Sequence, residues 1–167
     1  MARPRTRDRF PPRQDAKRKR WLNENATVEE AEARFAGIRY GGSQKHKERP
    51  HRFRLSPSSG FPPPDATLCD RDAGFTSQDM CRIPALLDRA RRARLIGNLI
   101  WSVDDNGWVY ELQMTNAGQN EHHGYPLRAN DPFVEKVFRL FVAWARDDGK
   151  DSDRRAAEAC RDRYAIK

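Results

Sequence analysis

The chain has 167 residues, 37% hydrophobic and 34% charged, enough for one domain with a core and short for two. Its mean hydropathy of −0.97 and the lack of any apolar run near about 18 residues exclude a membrane-spanning helix, and no apolar segment follows the basic start as a secretory leader requires. Cys69, Cys81 and Cys160 are odd in number and irregularly spaced, which fits free thiols in a reducing cytoplasm rather than a disulfide framework.

The formal charge of +8 and the isoelectric point near 9.8 are concentrated at one end. Residues 1–20 carry nine cationic side chains, ending in the run Lys17, Arg18, Lys19 and Arg20, against Asp8 and Asp15. Pro4, Pro11 and Pro12 oppose a helix and only Phe10 offers apolar surface, so residues 1–22 read as a disordered basic arm that orders on phosphates. A solubilising tail or an address signal has the same composition. Because the arm holds +7 of the +8, the remaining chain is close to neutral.

Residues 23–150 read as a single α+β domain. Thr27-Val28-Glu29-Glu30 is a capping box that opens a helix to about Ala36, stopped by Gly37. Ile38 to Tyr40 is a short strand candidate, followed by a Pro- and Ser-rich loop over 41–65. Thr76 to Asp79 caps a turn before Pro84, and Leu86, Leu87, Ala90 and Leu95 form a helical stripe closed by Gly97. Its other face, Arg89, Arg91, Arg92 and Arg94, is either a solvated helix surface or a second phosphate-binding surface.

Leu99–Asp105 and Trp108–Met114 flank Asn106-Gly107, the pair that suits a two-residue type I′ hairpin turn. That turn sets Trp101 opposite Leu112 and Val103 opposite Tyr110, leaving Glu111 on the other face. Asp131 caps and Pro132 starts a helix with the stripe Phe133, Val137, Leu140, Phe141 and Trp144. Residues 151–167 are a charged tail or short helix. The expected architecture is thus a short antiparallel sheet, with a hairpin at about 99–114, packed by two or three helices.

The four histidines fall in two polar, turn-rich stretches: His46 and His51 within 41–51, and His122 and His123 within 121–126. Cleavage of RNA by its own 2′-OH needs a base, an acid and cations against the phosphorane charge, and needs no metal. Glu111, His46 and His123 are the candidate acid–base groups; Lys45, Lys47 and Arg49 are candidate charge stabilisers. His51, His122 and Tyr125, with Arg18, Lys19 and Arg20 of the arm, are candidate substrate contacts. A zinc site from Cys69, Cys81, His122 and His123 lacks ligand spacing, and Asp70, Asp72, Asp104 and Asp105 suit turns and caps better than a metal. No metal or cofactor is expected.

The stretch Glu111 to Pro126, a carboxylate-bearing strand followed by a His-Gly-Tyr-Pro segment, resembles small bacterial ribonuclease toxins of the barnase, EndoU, colicin and RelE type over about residues 84–145. That resemblance implies a helix packed on an antiparallel sheet, acid–base work at Glu111 and His123, substrate contact at Tyr125, and an antitoxin or immunity protein as partner. Gly42-Ser43-Gln44-Lys45-His46 is fainter in its similarity to the Gly-Ser-His segment of HicA toxins, which nominates His46. The strand count of those folds and a counterpart of the Pro-rich loop are not visible here. The expected function is a metal-independent ribonuclease acting on RNA; a non-catalytic RNA- or DNA-binding protein, or an adaptor localised by its arm, is the alternative.

Overall fold

The structure, a computed structural model, describes residues 19–56 and 66–167. Residues 1–18, Arg18 among them, and the stretch 57–65 lie outside the described residues, and so does the expectation of disorder for residues 1–18. Residues 19–22 are described and are held in place instead, Arg20 by Glu111 and Asp131 and Leu22 by a bridge to Gly97. Among the described residues the order is α1 (Val28–Phe35), β1 (Arg39–Tyr40), α2 (Ile83–Arg92), β2 (Ile100–Val103), β3 (Val109–Asn116), β4 (Glu121–Pro126), α3 (Pro132–Asp147) and α4 (Asp151–Tyr164). The class is α+β, and no described helix is long and apolar enough to cross a membrane.

The strands form one sheet in the order β1-β4-β3-β2. β2 with β3 and β3 with β4 are antiparallel, but β1 runs parallel to β4, Arg39 facing Glu121 and Tyr40 facing His122. The expected purely antiparallel sheet is corrected to a mixed one. A parallel partner must arrive by a long crossover, and no local pattern announces it.

Several helix ends follow from local chemistry. At α1, Glu30 N–H donates to Thr27 Oγ1 (3.1 Å) and Thr27 N–H donates to Glu30 Oε2 (2.8 Å), and Gly37 at φ +67° follows the end. At α3, Asp131 accepts from Phe133 N–H (2.9 Å) ahead of Pro132. α2 ends earlier than expected, with Arg94 at φ +54° making the left-handed turn instead of Gly97. Gly97 serves close approach: a Cβ there would lie 2.0 Å from the Trp21 carbonyl oxygen.

The β2–β3 turn differs from the two-residue form. Asp104 N–H donates to Trp108 O, and the Asp104 carboxylate accepts from the N–H groups of Asn106 (3.0 Å) and Trp108 (2.8 Å). The loop is therefore three residues, Asp105 to Gly107, with Gly107 in the left-handed position at φ +81°. The register moves by one, so Trp101 faces Glu111, Ser102 faces Tyr110 and Ile100 faces Leu112. One sheet face (Trp101, Val103, Val109) packs on α3 and α4, the other (Ile100, Tyr110, Leu112) on Ala31 and Phe35 of α1 and Ala90 of α2. A sheet buried on both faces reads as apolar without alternation, which is why the pattern alone allowed the wrong register.

Gly107→Ala is expected to destabilise the fold by about 2 kcal/mol or more, because the new Cβ must hold a left-handed φ and clash with backbone. It would lie 2.3 Å from the Ala159 carbonyl carbon. Urea unfolding measures the loss; an unchanged midpoint would remove this account of the turn.

The charged C-terminal segment is a 14-residue helix, α4, with Asp153, Ala156, Ala157 and Cys160 buried against the rest of the fold. Its buried face is built of small residues, so it carries little hydrophobic signal. Asp153 is 0% exposed and accepts from Arg89 Nε (2.7 Å), Arg92 Nη1 (3.0 Å) and Lys150 N–H (3.0 Å). Arg89 also donates to Val103 O (2.8 Å) and Asp105 (2.7 Å), tying α2, the hairpin turn and α4 together. The arginines of α2 are thus committed internally: Arg91 pairs with Glu32 and Asp88, and Arg92 with Asp88 and Asp153. This corrects both readings of that face, solvated or phosphate-binding, for Arg89 and Arg92.

Candidate active site

β4 presents alternate side chains to one face of the sheet, so His123 and Tyr125 point the same way and His122 the other. Across the β3–β4 ladder His123 faces Gln113 and Tyr125 faces Glu111. His46 ends a short 3-10 turn, Gln44–His46, opened by Ser43, whose hydroxyl accepts from Lys45 N–H (3.3 Å). Its imidazole lies over both rings, 4.5 Å from Tyr125 and 5.1 Å from His123 between centroids, each at 20°. All three rings are half-buried, and His46 Nδ1 is enclosed.

The turn is pinned from below. His46 O accepts from Cys69 N–H (3.0 Å), and the neighbouring Lys47 runs inward, 2% exposed, with its ammonium 4.9 Å from the Phe53 ring and 5.8 Å from Phe75. Gly41 N–H donates to His122 O (3.0 Å), and a Cβ on Gly41 would overlap the Glu121 carboxylate.

Beneath the rings Glu111 is 1% exposed and takes three donors. Trp101 Nε1 (3.0 Å) and Arg20 Nη1 (2.9 Å) donate to its Oε2, and the Tyr125 hydroxyl donates to its Oε1 in a short hydrogen bond. Gln113 Nε2 donates to the Tyr125 oxygen (2.6 Å), and Thr115 Oγ1 shares a hydrogen bond with His123 Nδ1 (2.6 Å). Arg20 also holds both Asp131 oxygens at 3.0 Å, with its guanidinium 4.4 Å from the Phe133 ring centre. Burial disfavours its charge, but Asp131 and Glu111 outweigh that and raise its pKa above the ordinary arginine value.

Of the sequence candidates, Glu111, His46, His123 and Tyr125 come together. Lys47 does not, because its ammonium is enclosed by aromatic rings away from the stack. His122 does not, because it is 1% exposed on the opposite face; burial pushes its pKa down, with the Asn120 carbonyl opposing and Arg34 assisting. Lys45, Arg49 and His51 are exposed along the His46 loop, where the backbone N–H groups of Glu48 and Arg49 donate to Asp70. Lys19 is exposed, its carbonyl bound by Asn98 Nδ2 (3.0 Å). Arg20 is engaged by two carboxylates instead of standing ready for phosphate. Cys69 donates to Gly124 O (3.2 Å) and Cys81 to Gln78 O (3.1 Å), and no three His, Cys, Asp or Glu groups gather for a metal among the described residues.

Gln113, Thr115, Trp101 and Asp131 also join the site without being among the sequence candidates for it. The first two follow Glu111 at a spacing of two along β3, so a strand reading displays them beside it. Trp101 joins only through the shifted register.

Arg20→Met leaves Glu111 with the Trp101 and Tyr125 donors but no cation, and is expected to cost about 2–3 kcal/mol of stability. Urea unfolding of the full chain checks it; a neutral substitution would mean that Arg20 does not stabilise the buried carboxylate.

No family model matches the chain, and neither a curated protein nor a solved structure matches it.

Proposed function

We propose that the protein binds RNA and cleaves it as a metal-independent ribonuclease of the toxin type, with His46 and His123 exchanging protons with a phosphodiester seated against Tyr125. The observation that carries this reading is the convergence of two half-buried imidazoles and a phenol, from segments far apart in sequence, over one buried carboxylate. Imidazoles 5.1 Å apart can address the two ends of one reacting phosphate.

In the proposed reaction neutral His46 takes the proton of the ribose 2′-OH as that oxygen attacks phosphorus. The bond from phosphorus to the 5′ oxygen breaks, and protonated His123 returns a proton to the departing oxygen. The products are a 2′,3′-cyclic phosphate and a 5′-hydroxyl. Thr115 Oγ1 accepts from Nδ1–H of the His123 imidazolium, which leaves Nε2–H as the proton the ring gives up. Glu111, enclosed by three donors, orients Tyr125 and is a positioning residue rather than the base; exposed Lys45 supplies charge beside His46. The basic arm supplies sequence-independent affinity for phosphates, and an antitoxin or immunity protein is the partner this activity implies.

The test is incubation of the full chain with a mixed-sequence RNA in EDTA over a range of salt. Cleavage that persists with EDTA and weakens as salt rises supports the reading. Tight, salt-dependent binding without cleavage at any pH supports the non-catalytic binder instead.

A further inference from the structure

The chain has four tryptophans, and the fold takes up three of them. Trp101 and Trp144 are buried, and Trp108 is half-buried between Arg163 and Tyr164. Trp21 is 52% exposed. An indole left in water forgoes one of the largest gains that burial of a side chain offers, and keeps its flat face open to a partner.

The backbone that carries this indole is held from both sides. Trp21 N–H donates to Asn98 Oδ1 (3.0 Å) and Asn98 Nδ2 donates to Lys19 O (3.0 Å), so one amide side chain spans the two residues. Leu22 bridges Gly97, and Asn23 N–H donates to Ile96 O (2.8 Å). Arg20 is anchored by Glu111 and Asp131, and Leu22 packs on the core. Burial therefore alternates over residues 19–22: Arg20 and Leu22 turn inward, Lys19 and Trp21 outward, at the two-residue period of an extended segment. The ammonium and the indole share one face, on a support that needs no ordering when a ligand arrives.

This face is separate from the ring stack. It lies along residues 96–98, which adjoin the start of β2 through the bridge of Ile96 to Ile100, whereas His123 and Tyr125 belong to β4. Arg20 joins the two, since its guanidinium reaches Glu111 beneath Tyr125. Residues 1–18 enter the described chain at Lys19, and their sequence holds seven cationic side chains against Asp8 and Asp15.

A flat apolar ring with a cation beside it, at the root of a basic arm, suits a strand whose phosphates meet the cations while a base lies on the indole. In a duplex both faces of each base are covered by its neighbours, so only an unpaired base has a face to offer. An acidic peptide would use the cations and leave the indole idle. A lipid surface would need a broader apolar face than one side chain.

We propose that Trp21 is a stacking platform for an unpaired base, with Lys19 on an adjoining phosphate, and that the polymer received there is single-stranded. The inference rests on the RNA-binding reading above and narrows it to unpaired strands; it does not depend on the roles of His46 and His123.

The experiment is titration of the full chain with 2′-O-methyl decauridylate, whose blocked 2′ oxygens cannot attack, beside a strand of the same length without bases and a fully paired duplex of the same chemistry. Sedimentation with phosphatidylserine–phosphatidylcholine vesicles and a melting temperature accompany every variant. The wild-type chain is expected to bind the decauridylate about tenfold or more tightly than the baseless strand. Trp21→Ala should weaken the decauridylate by about tenfold, leave the baseless strand, the duplex and the melting temperature unmoved, and Trp21→Phe should keep most of the affinity. Lys19→Gln should weaken both single strands and lower the slope of log affinity against log salt by about one, a slope that Trp21→Ala leaves alone. Decauridylate affinity unmoved in Trp21→Ala, an equal loss for the baseless strand or the duplex, or dependence on Trp21 for the vesicles alone overturns the proposal. A wild-type chain that binds no strand overturns it together with the RNA-binding reading. Binding through Trp21 with no cleavage of ordinary RNA counts against the ribonuclease reading alone. Binding and cleavage of RNA with Trp21→Ala unmoved counts against the stacking platform alone.

Discussion

His123→Ala is expected to lower kcat for RNA cleavage by about 10²–10⁴-fold, the span that a single general acid or base contributes. The side chain is half-buried at the edge of the ring stack, and its hydrogen bond to Thr115 is exposed, so the fold should lose about 1 kcal/mol or less. A large activity loss with an almost unchanged melting temperature separates chemistry from folding. His46→Ala should fall in the same range, although it also uncovers Tyr125. The two substitutions together should cost far less than the product of the single losses, because the proposed reaction uses both in one proton exchange. A bell-shaped dependence of kcat/KM on pH in the parent should lose one limb in each single variant. Wild-type kcat in His123→Ala would remove His123 from the reaction.

Asp153→Ala is expected to destabilise the protein by about 3 kcal/mol, because it removes the fully buried carboxylate shared by two guanidinium groups and leaves Arg89 only Asp105 and Arg92 only Asp88 as ion-pair partners. Arg89 has a side chain only 8% exposed, and water cannot replace its partner without opening the contact between α2 and α4. Asp153→Asn should cost less, since the amide oxygen still accepts. The pH dependence has a defined sign. Burial raises the Asp153 pKa, but Arg92, Lys150 N–H and Arg89 outweigh it, so the folded carboxyl lies below its usual range. Its contribution is present above the unfolded value of about 3.9 and is lost as pH falls through the folded value. Urea midpoints measured from neutral to acid pH should therefore converge for the parent and Asp153→Asn at the acid end. Parallel curves would mean that the carboxylate charge is not what stabilises α4.

Local chemistry made several features legible: the Thr27 capping box, the Asp131-Pro132 start of α3 and the stripe from Phe133 to Trp144 are written in neighbouring residues. What failed was set by a competing side chain at the turn and by distant segments. Asn106-Gly107 suits a two-residue turn, but the Asp104 carboxylate binds two N–H groups and draws Asp105 into the loop, which shifts every pair in the hairpin. The parallel contact of β1 with β4 and the burial of α4 through alanines leave no periodic mark.

The candidate site divides in the same way. Residue type and polar context singled out His46, Glu111, His123 and Tyr125, which the fold gathers. Type alone could not separate His123 from His122, or His46 from Lys47, because adjacent residues take opposite sides and only tertiary packing decides which side is inside. Arg20 shows the reverse case. Its place at the end of a basic run pointed to phosphate, while its partners are Glu111 and Asp131.

The most direct measurement is end-group analysis of a defined RNA oligonucleotide after incubation with the full chain, beside the same strand carrying single 2′-deoxy substitutions. Acid–base cleavage by His46 and His123 predicts 2′,3′-cyclic phosphate and 5′-hydroxyl ends, with the cut lost wherever the 2′-OH on its 5′ side is missing. An intact strand, or cutting that ignores the 2′-deoxy substitution, would contradict the account.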